Sequence, residues 1–241
     1  MALNDLLHVV NQGRAAPVEI DKNKLRERLP DYQNIISYWR AYPDRFVDYL
    51  CSLNPDNKFK LFFTQRLYLR IAMRYRNVYA VFSRGFSKSF ISVLALMLKC
   101  VLYPGATLIT VAEGKSQSAM ILNSKLEELC NLIPALAKEI EWDTRGKLAT
   151  TTRTKDSVEF SFRNGSKLRN ISMTSASRGY RAQGVLTEEV ATITDQAKYE
   201  EIVAPMLVIS RKVNGQIDPD EVLNQNNICV TSAGLTCSSA L

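Results

Sequence analysis

Histidine is nearly absent. His8 is the single one in 241 residues, which excludes most His-based zinc sites and argues against a Ser-His or Cys-His nucleophile. Long hydrophobic runs are missing as well. The longest candidate, Phe90 to Leu102, is interrupted by Lys99 and falls short of the roughly 18 residues a membrane span needs. The opening MALNDLLHVVNQG carries Asp5 and has neither a basic leader nor a small-residue cleavage site, so no secretory signal is expected. Cysteines number five, at 51, 100, 130, 229 and 237. Scattered and odd in number, they read as reduced thiols in a cytoplasm and not as a disulfide frame. There is no internal repeat and no low-complexity linker. What is present, 46% hydrophobic and 23% charged residues, belongs to a chain with a buried core arranged as one large or two small domains.

One further absence is local. Between Asp56 and Glu113 there is no acidic residue, while Lys58, Lys60, Arg66, Arg70, Arg74, Arg76, Arg84, Lys88 and Lys99 all fall there. Together with a net charge of +7, this points to an anionic partner near the segment. A solvated basic helix face is the other reading of any single Arg in it.

The first fifty-odd residues have helical spacing. Asp21 is placed to cap a helix running to Pro30, and Ile35, Ile36, Trp39, Phe46 and Leu50 mark a second amphipathic stretch from Tyr32 to Leu50 despite Pro43. Thr64 to Tyr75 continues as helix. Asn77 to Ser83 is then short, β-branched, aromatic and almost wholly apolar, the pattern of a buried parallel strand. After a polar loop, an apolar helix spans Ser89 to about Cys100; a strand, Thr107 to Ala112, and a helix, Lys115 to Leu132, follow. Val158 to Met173 reads as an antiparallel hairpin insertion turning at Asn164-Gly165. A strand from Gly184 to Thr187 ends in Glu188 and Glu189. A helix from about Asp195 to Ala204 and a last strand, Asn227 to Thr231, complete an alternation expected of a mainly parallel α/β sheet flanked by helices.

Strand, loop, Lys-Ser and helix is the order of a phosphate-binding loop: backbone N–H groups at the helix start face the anion, Lys reaches the terminal phosphates and the hydroxyl ligates magnesium. Ser83-Arg84-Gly85-Phe86-Ser87-Lys88-Ser89 has that order. It departs from the usual spacing twice, with Phe82 at the first glycine position and Ser87 at the second, where a side chain is accommodated only with strain. Glu113-Gly114-Lys115-Ser116 also follows a strand and opens a helix. Its loop is too short to wrap a triphosphate, and Glu113 sets a negative charge where phosphates would lie, so it reads as a plain strand-to-helix turn.

The acids at 188 and 189 complete the constellation. In phosphoryl-transfer enzymes one carboxylate after a short strand helps hold magnesium and the next orients the attacking water. With the loop upstream and Thr231-Ser232-Ala233 downstream, the sequence resembles the ATPase domain of phage terminase large subunits, motors that package double-stranded DNA into a procapsid. That family has a deviant phosphate loop with an early Arg, like Arg84. It has an Arg-Gly segment entering the acidic strand, like Ser177 to Glu189, and a coupling motif like Thr231, Ser232 and Ala233. Its acid pair is Asp-Glu, and here Glu188 replaces the Asp.

The resemblance runs from about Phe59 onward and implies a P-loop NTPase of the additional-strand (ASCE) type. An N-terminal helical region, 1–56, would pack on an ATPase core, 57–241, and the nuclease domain of full-length members is expected to be absent, with no DNA cleavage by this fragment. Implied nucleotide-binding residues are Gln65, Ser83, Arg84, Gly85, Phe86, Ser87, Lys88, Ser89 and Phe90. Gln65, in the segment Phe62-Phe63-Thr64-Gln65, would meet the adenine edge, although an ordinary helix start explains it equally. Lys88 would contact the β- and γ-phosphates, Ser89 and Glu188 would hold Mg2+, and Glu189 would polarise water. Arg84 would reach the γ-phosphate in cis, and Arg178 would serve as an arginine finger in trans, or simply form a salt bridge beside Gly179. Implied partners are ATP, Mg2+, double-stranded DNA, a homo-oligomeric ring on the procapsid portal and the terminase small subunit. The implied location is the host cytoplasm, transiently at the portal. A helicase-like or other DNA-remodelling P-loop ATPase, and a DNA-binding scaffold with weak catalysis, are the competing readings.

Overall fold

The computed structural model describes residues 22–141, 150–153, 156–193, 196–213 and 215–233. The chain divides into two compact units, 1–38 and 39–241. Helix α1, Lys22–Ala41, accounts for the described part of the first unit and runs through Pro30. The break expected at Pro30 is found at Tyr42 instead. There the following proline ring pushes the backbone out of the helical region (φ −128°, ψ 65°), and Pro43 begins α2, Pro43–Ser52, where its missing N–H would have had no partner anyway. Asp21, the expected cap, lies outside the described residues.

The second unit is built on a sheet of seven strands. In chain order these are β1 Asn77–Phe82, β2 Thr107–Val111, β3 Thr150–Arg153, β4 Val158–Ser161, β5 Lys167–Ile171, β6 Gly184–Glu188 and β9 Asn226–Ser232; a separate small hairpin pairs β7, Lys212–Val213, with β8, Gln216–Ile217. The spatial order is β1-β9-β6-β2-β5-β4-β3. Strands β1, β9, β6, β2 and β5 run parallel to one another; β4 pairs antiparallel with β5, and β3 antiparallel with β4. Asn164 and Gly165 (φ 82°) turn the expected hairpin. Its second strand does not stand apart from the sheet: β5 pairs with β2, so the hairpin extends the main sheet.

The sheet is covered on both faces. Helices α3 (Phe63–Arg74), α4 (Lys88–Leu102), α5 (Lys115–Leu132) and the short α6 (Pro134–Ala137) join α2 on one side, with Leu69, Ile91, Leu94, Leu98, Leu126 and Leu129 in the core. On the other side, α7 (Gln196–Ile202) and the turn after it cover Ile109, Val111 and Val185 with Ile202, Val203 and Met206. Strand β1 is parallel as expected but not fully buried. It lies at the sheet edge, and Tyr79 and Val81 on one face remain 52% and 48% exposed. No described helix is long and apolar enough to cross a membrane. Cys51, Cys100, Cys130 and Cys229 are free thiols, and Cys237 lies outside the described residues.

The basic run is largely matched within the chain. Arg66 binds Asp48 through two contacts of 2.6 and 2.7 Å, and Arg70 binds buried Asp44 at 2.7 and 2.8 Å. Arg74 and Arg76 donate to the carbonyls of Ala41 and Pro219. The acids absent from the segment are supplied by α2, packed beside α3, which removes most of the run as a signal for an external anion. Lys58, Lys60 and Arg84 stay exposed.

Lys99 is buried at 1% exposure, donating to Asn226 Oδ1; the Asn226 amide in turn donates to the carbonyls of Tyr75 and Arg76. Burial lowers its pKa to about 7. From there up to the ordinary lysine range the unfolded chain holds a proton that the folded chain has released. Stability therefore rises with pH across that window, by up to about 1.4 kcal/mol per pH unit, and falls as pH drops towards 7. Burial also raises the pKa values of Cys51, Cys100, Cys130 and Cys229, which lowers stability as pH climbs through the thiol range. The Lys99 contribution is therefore read as a difference: between pH 7 and 10 the melting temperature of the wild type is expected to climb relative to that of Lys99→Met. An unchanged slope in the variant would place the titration elsewhere.

Candidate functional site

The loop between β1 and α4 is shaped by an aromatic stack. Phe82, where a glycine is usual, lies parallel to Phe86 with ring centroids 4.5 Å apart and meets Tyr68 of α3 edge-on at 5.2 Å. Between the stacked rings the chain turns at Gly85 (φ 84°), with Phe86 N–H donating to Ser83 O. Ser87 takes the left-handed conformation that glycine would hold without cost, φ 62° and ψ 38°. The first helical bond of α4 runs from Ile91 N–H to Ser87 O. The N–H groups of Lys88, Ser89 and Phe90 precede it, and a helix start of this kind favours an anion.

The two carboxylates sit across β9 from this loop. Ser89 donates to Glu188 Oε2 at 3.1 Å, and Lys88 Nζ is 2.5 Å from Glu189 Oε1. Glu188 is 2% exposed, and its Oε1 is buried with no hydrogen-bond partner among the described residues. Burial raises its pKa to about 7, against the lowering effects of the Ser89 hydrogen bond and the Lys88 charge. An orphaned, buried carboxylate oxygen beside a serine hydroxyl is a hard-oxygen pair that fits a divalent cation such as Mg2+, whose charge would also reverse the rise in pKa. Glu189 has the opposite environment. Partial burial would raise its pKa, but hydrogen bonds from Lys88 and Ser232 outweigh that and hold it below the usual carboxylate range.

Strand β9 closes the site. Ser232 N–H and the Thr231 hydroxyl donate to Glu189 Oε2 at 3.1 and 3.3 Å, and the Ser232 hydroxyl lies 3.2 Å from Oε1. Ala233 N–H donates to Phe82 O at 2.7 Å, tying β9 to the base of the loop. The grip of Thr231 and Ser232 on Glu189 was not foreseen from the sequence. The signal available was a Thr-Ser pair at the end of an apolar strand, which parallel pairing with β6 in the register Glu188 to Val230 sets beside position 189.

Other expected site residues are less directly placed. Gln65 is buried, and its Oε1 accepts Phe62 N–H at 3.0 Å, so one side of its amide serves the start of α3. The Phe90 ring points into the core, edge-on to Phe59, which leaves its backbone as the part facing the loop. Arg84 is exposed. Arg178, in a 3-10 turn at Ser175–Gly179, pairs with Glu201 of α7 and does not meet Lys88 or Ser89 in its own chain. The Gly114-Lys115 turn lies at the end of β2, with Lys115 O bonded by Asn170, and the acid pair faces the 83–89 loop instead.

No family model matches the sequence, and no curated protein matches it either. Solved structures do. The large-terminase ATPase domain of Thermus phage P74-26 superposes with a TM-score of 0.53 at 17% identity, covering 80% of this chain and 70% of that one. The large terminase of bacteriophage HK97 gives a TM-score of 0.50 at 12% identity, over 80% of this chain and 37% of the longer protein. At such identities the likeness shows the fold alone: a mainly parallel α/β sheet flanked by helices, as in those large-terminase ATPase domains.

Proposed function

We propose that the chain is the ATP-hydrolysing domain of a phage large terminase, driving double-stranded DNA into a procapsid. The observation that carries the reading is the meeting of Lys88 with Glu189 and of Ser89 with Glu188 at a helix start beside the ends of β1 and β6. Fold likeness to terminase ATPase domains supports the same reading.

In this reading the N–H groups at the start of α4 and Lys88 hold the β- and γ-phosphates. Ser89 and Glu188 would hold Mg2+, which when bound neutralises charge on the phosphates. Glu189 orients a water for attack on the γ-phosphorus and accepts its proton as the bond to the bridging oxygen breaks, releasing ADP and phosphate. Arg84 adds positive charge at the γ-phosphate from the same chain, and Arg178 does so for a neighbouring subunit. The wider setting is a homo-oligomeric ring on the portal in the host cytoplasm, working with a small subunit.

Purified protein is expected to release phosphate from ATP in a Mg2+-dependent manner and faster with double-stranded DNA present. A phosphate-release assay with and without DNA checks this. Turnover without any DNA response would favour an ATPase unconnected with packaging, and DNA binding without turnover would favour a scaffold.

A further inference from the structure

Glu189 is held by two kinds of group. Three contacts come from the end of β9, a strand fixed in the sheet: Ser232 N–H, Ser232 Oγ and Thr231 Oγ1, at 3.1, 3.2 and 3.3 Å. The fourth comes from Lys88, a flexible chain at the start of α4, at 2.5 Å. A carboxylate bound to an ammonium has its charge offset and lone pairs occupied, so it is a weak acceptor for a water proton. The same ammonium cannot serve the carboxylate and the phosphates with full strength.

We propose that Thr231 and Ser232 are positioning residues that cradle Glu189, and that Lys88 is parked on the cradled carboxylate until bound phosphates draw it away. The base is then released only in an occupied site. This rests on the ATPase reading above and adds to it a device that suppresses water activation in the empty site. The loop geometry supports the exchange. Phosphates seated on the N–H groups of Lys88, Ser89 and Phe90 lie on the same helix turn as the Lys88 side chain and carry more negative charge than one carboxylate. When Lys88 leaves, the β9 contacts remain, so Glu189 keeps its orientation.

The test uses the whole chain and ADP with Mg2+, measured calorimetrically, because ADP affinity is not confounded by hydrolysis. Glu189→Gln is expected to bind ADP about fivefold tighter than wild type, since no charge pair has to be broken first. Removing a negative charge also lowers general repulsion of the ligand, and the Lys88→Ala background separates the two causes. Parking predicts that the tightening is several-fold larger with Lys88 present than in that background, and equal tightening in both overturns it. Ser232→Ala is expected to lower kcat about tenfold with KM within twofold and an unchanged melting temperature, and Ser232→Thr to recover most of the rate. Wild-type kcat in Ser232→Ala, or a loss that follows a fall in melting temperature and is not rescued by Thr, overturns the cradle. Wild-type protein that binds no ADP would instead remove the nucleotide reading on which the proposal rests.

Discussion

Lys88→Ala is expected to lower kcat/KM for ATP by about a hundredfold or more, while Lys115→Ala stays within about twofold of wild type. The two lysines have similar local sequence, each after a strand and at the start of a helix, and their surroundings separate them. Lys88 follows the edge strand β1, and its ammonium reaches Glu189 at 2.5 Å. Lys115 follows β2, with β9 and β6 between it and β1, and its neighbour Glu113 sets a negative charge where phosphates would have to sit. Loss of Lys88 removes a cation from the phosphates in both ground and transition states, so KM and kcat should both worsen. The fold should survive, because Glu189 keeps its three contacts from β9. Steady-state kinetics on both variants decides the matter, and activity abolished by Lys115→Ala but not by Lys88→Ala would mean that the other loop holds the nucleotide.

The different surroundings of the two lysines were legible in the sequence because they depend on order along the chain: strand, loop, lysine, hydroxyl, and an acid pair after a second strand. Helix and strand periodicity placed α3, α4, α5 and β2 within a residue or two for the same local reason. What depended on distant partners was harder to read. The apolar run of β1 looks like a central strand, yet its pairing with β9 alone among the described strands leaves Tyr79 and Val81 uncovered. The basic run from Lys58 to Lys99 looked like an anion site because Asp44 and Asp48 lie earlier in the chain, and only the packing of α2 on α3 brings them to Arg70 and Arg66. Strand β3, Thr150–Arg153, has no apolar alternation to announce it. The departures at Phe82 and Ser87 looked like defects of a glycine-rich loop. In the structure Phe82 stacks on Phe86 and Ser87 takes a positive φ, so a tight strand-to-helix turn is made here with side chains in place of glycines.

Arg178 poses the remaining large effect. If it acts in trans, Arg178→Ala is expected to reduce ATP turnover by about a thousandfold under assembling conditions while the variant's own nucleotide affinity stays near normal, since such fingers contribute on that scale. Its position favours this behaviour. The guanidinium and its partner Glu201 have side chains 52% and 62% exposed, and a surface pair of that kind is worth only about 1 kcal/mol or less. Arg178 is therefore free to exchange Glu201 for a stronger anion on a neighbour, and its removal should leave the melting temperature nearly unchanged. Dilute protein should have low specific activity that rises with concentration or on a DNA scaffold. The deciding measurement is the ATPase rate against the mixing ratio of Arg178→Ala and Glu189→Gln proteins. Each is expected to be inactive alone. In a mixed ring, an Arg178→Ala subunit still carries its own Glu189, and a Glu189→Gln neighbour can supply an intact Arg178 to that site, so partial recovery is expected at intermediate ratios. Arg84→Ala mixed with Glu189→Gln should show no such recovery, because Arg84 belongs to the same loop as Lys88 and its loss damages its own site. If subunits demonstrably associate and no ratio of Arg178→Ala to Glu189→Gln restores turnover, then Arg178 works within its own chain or only braces α7 through Glu201.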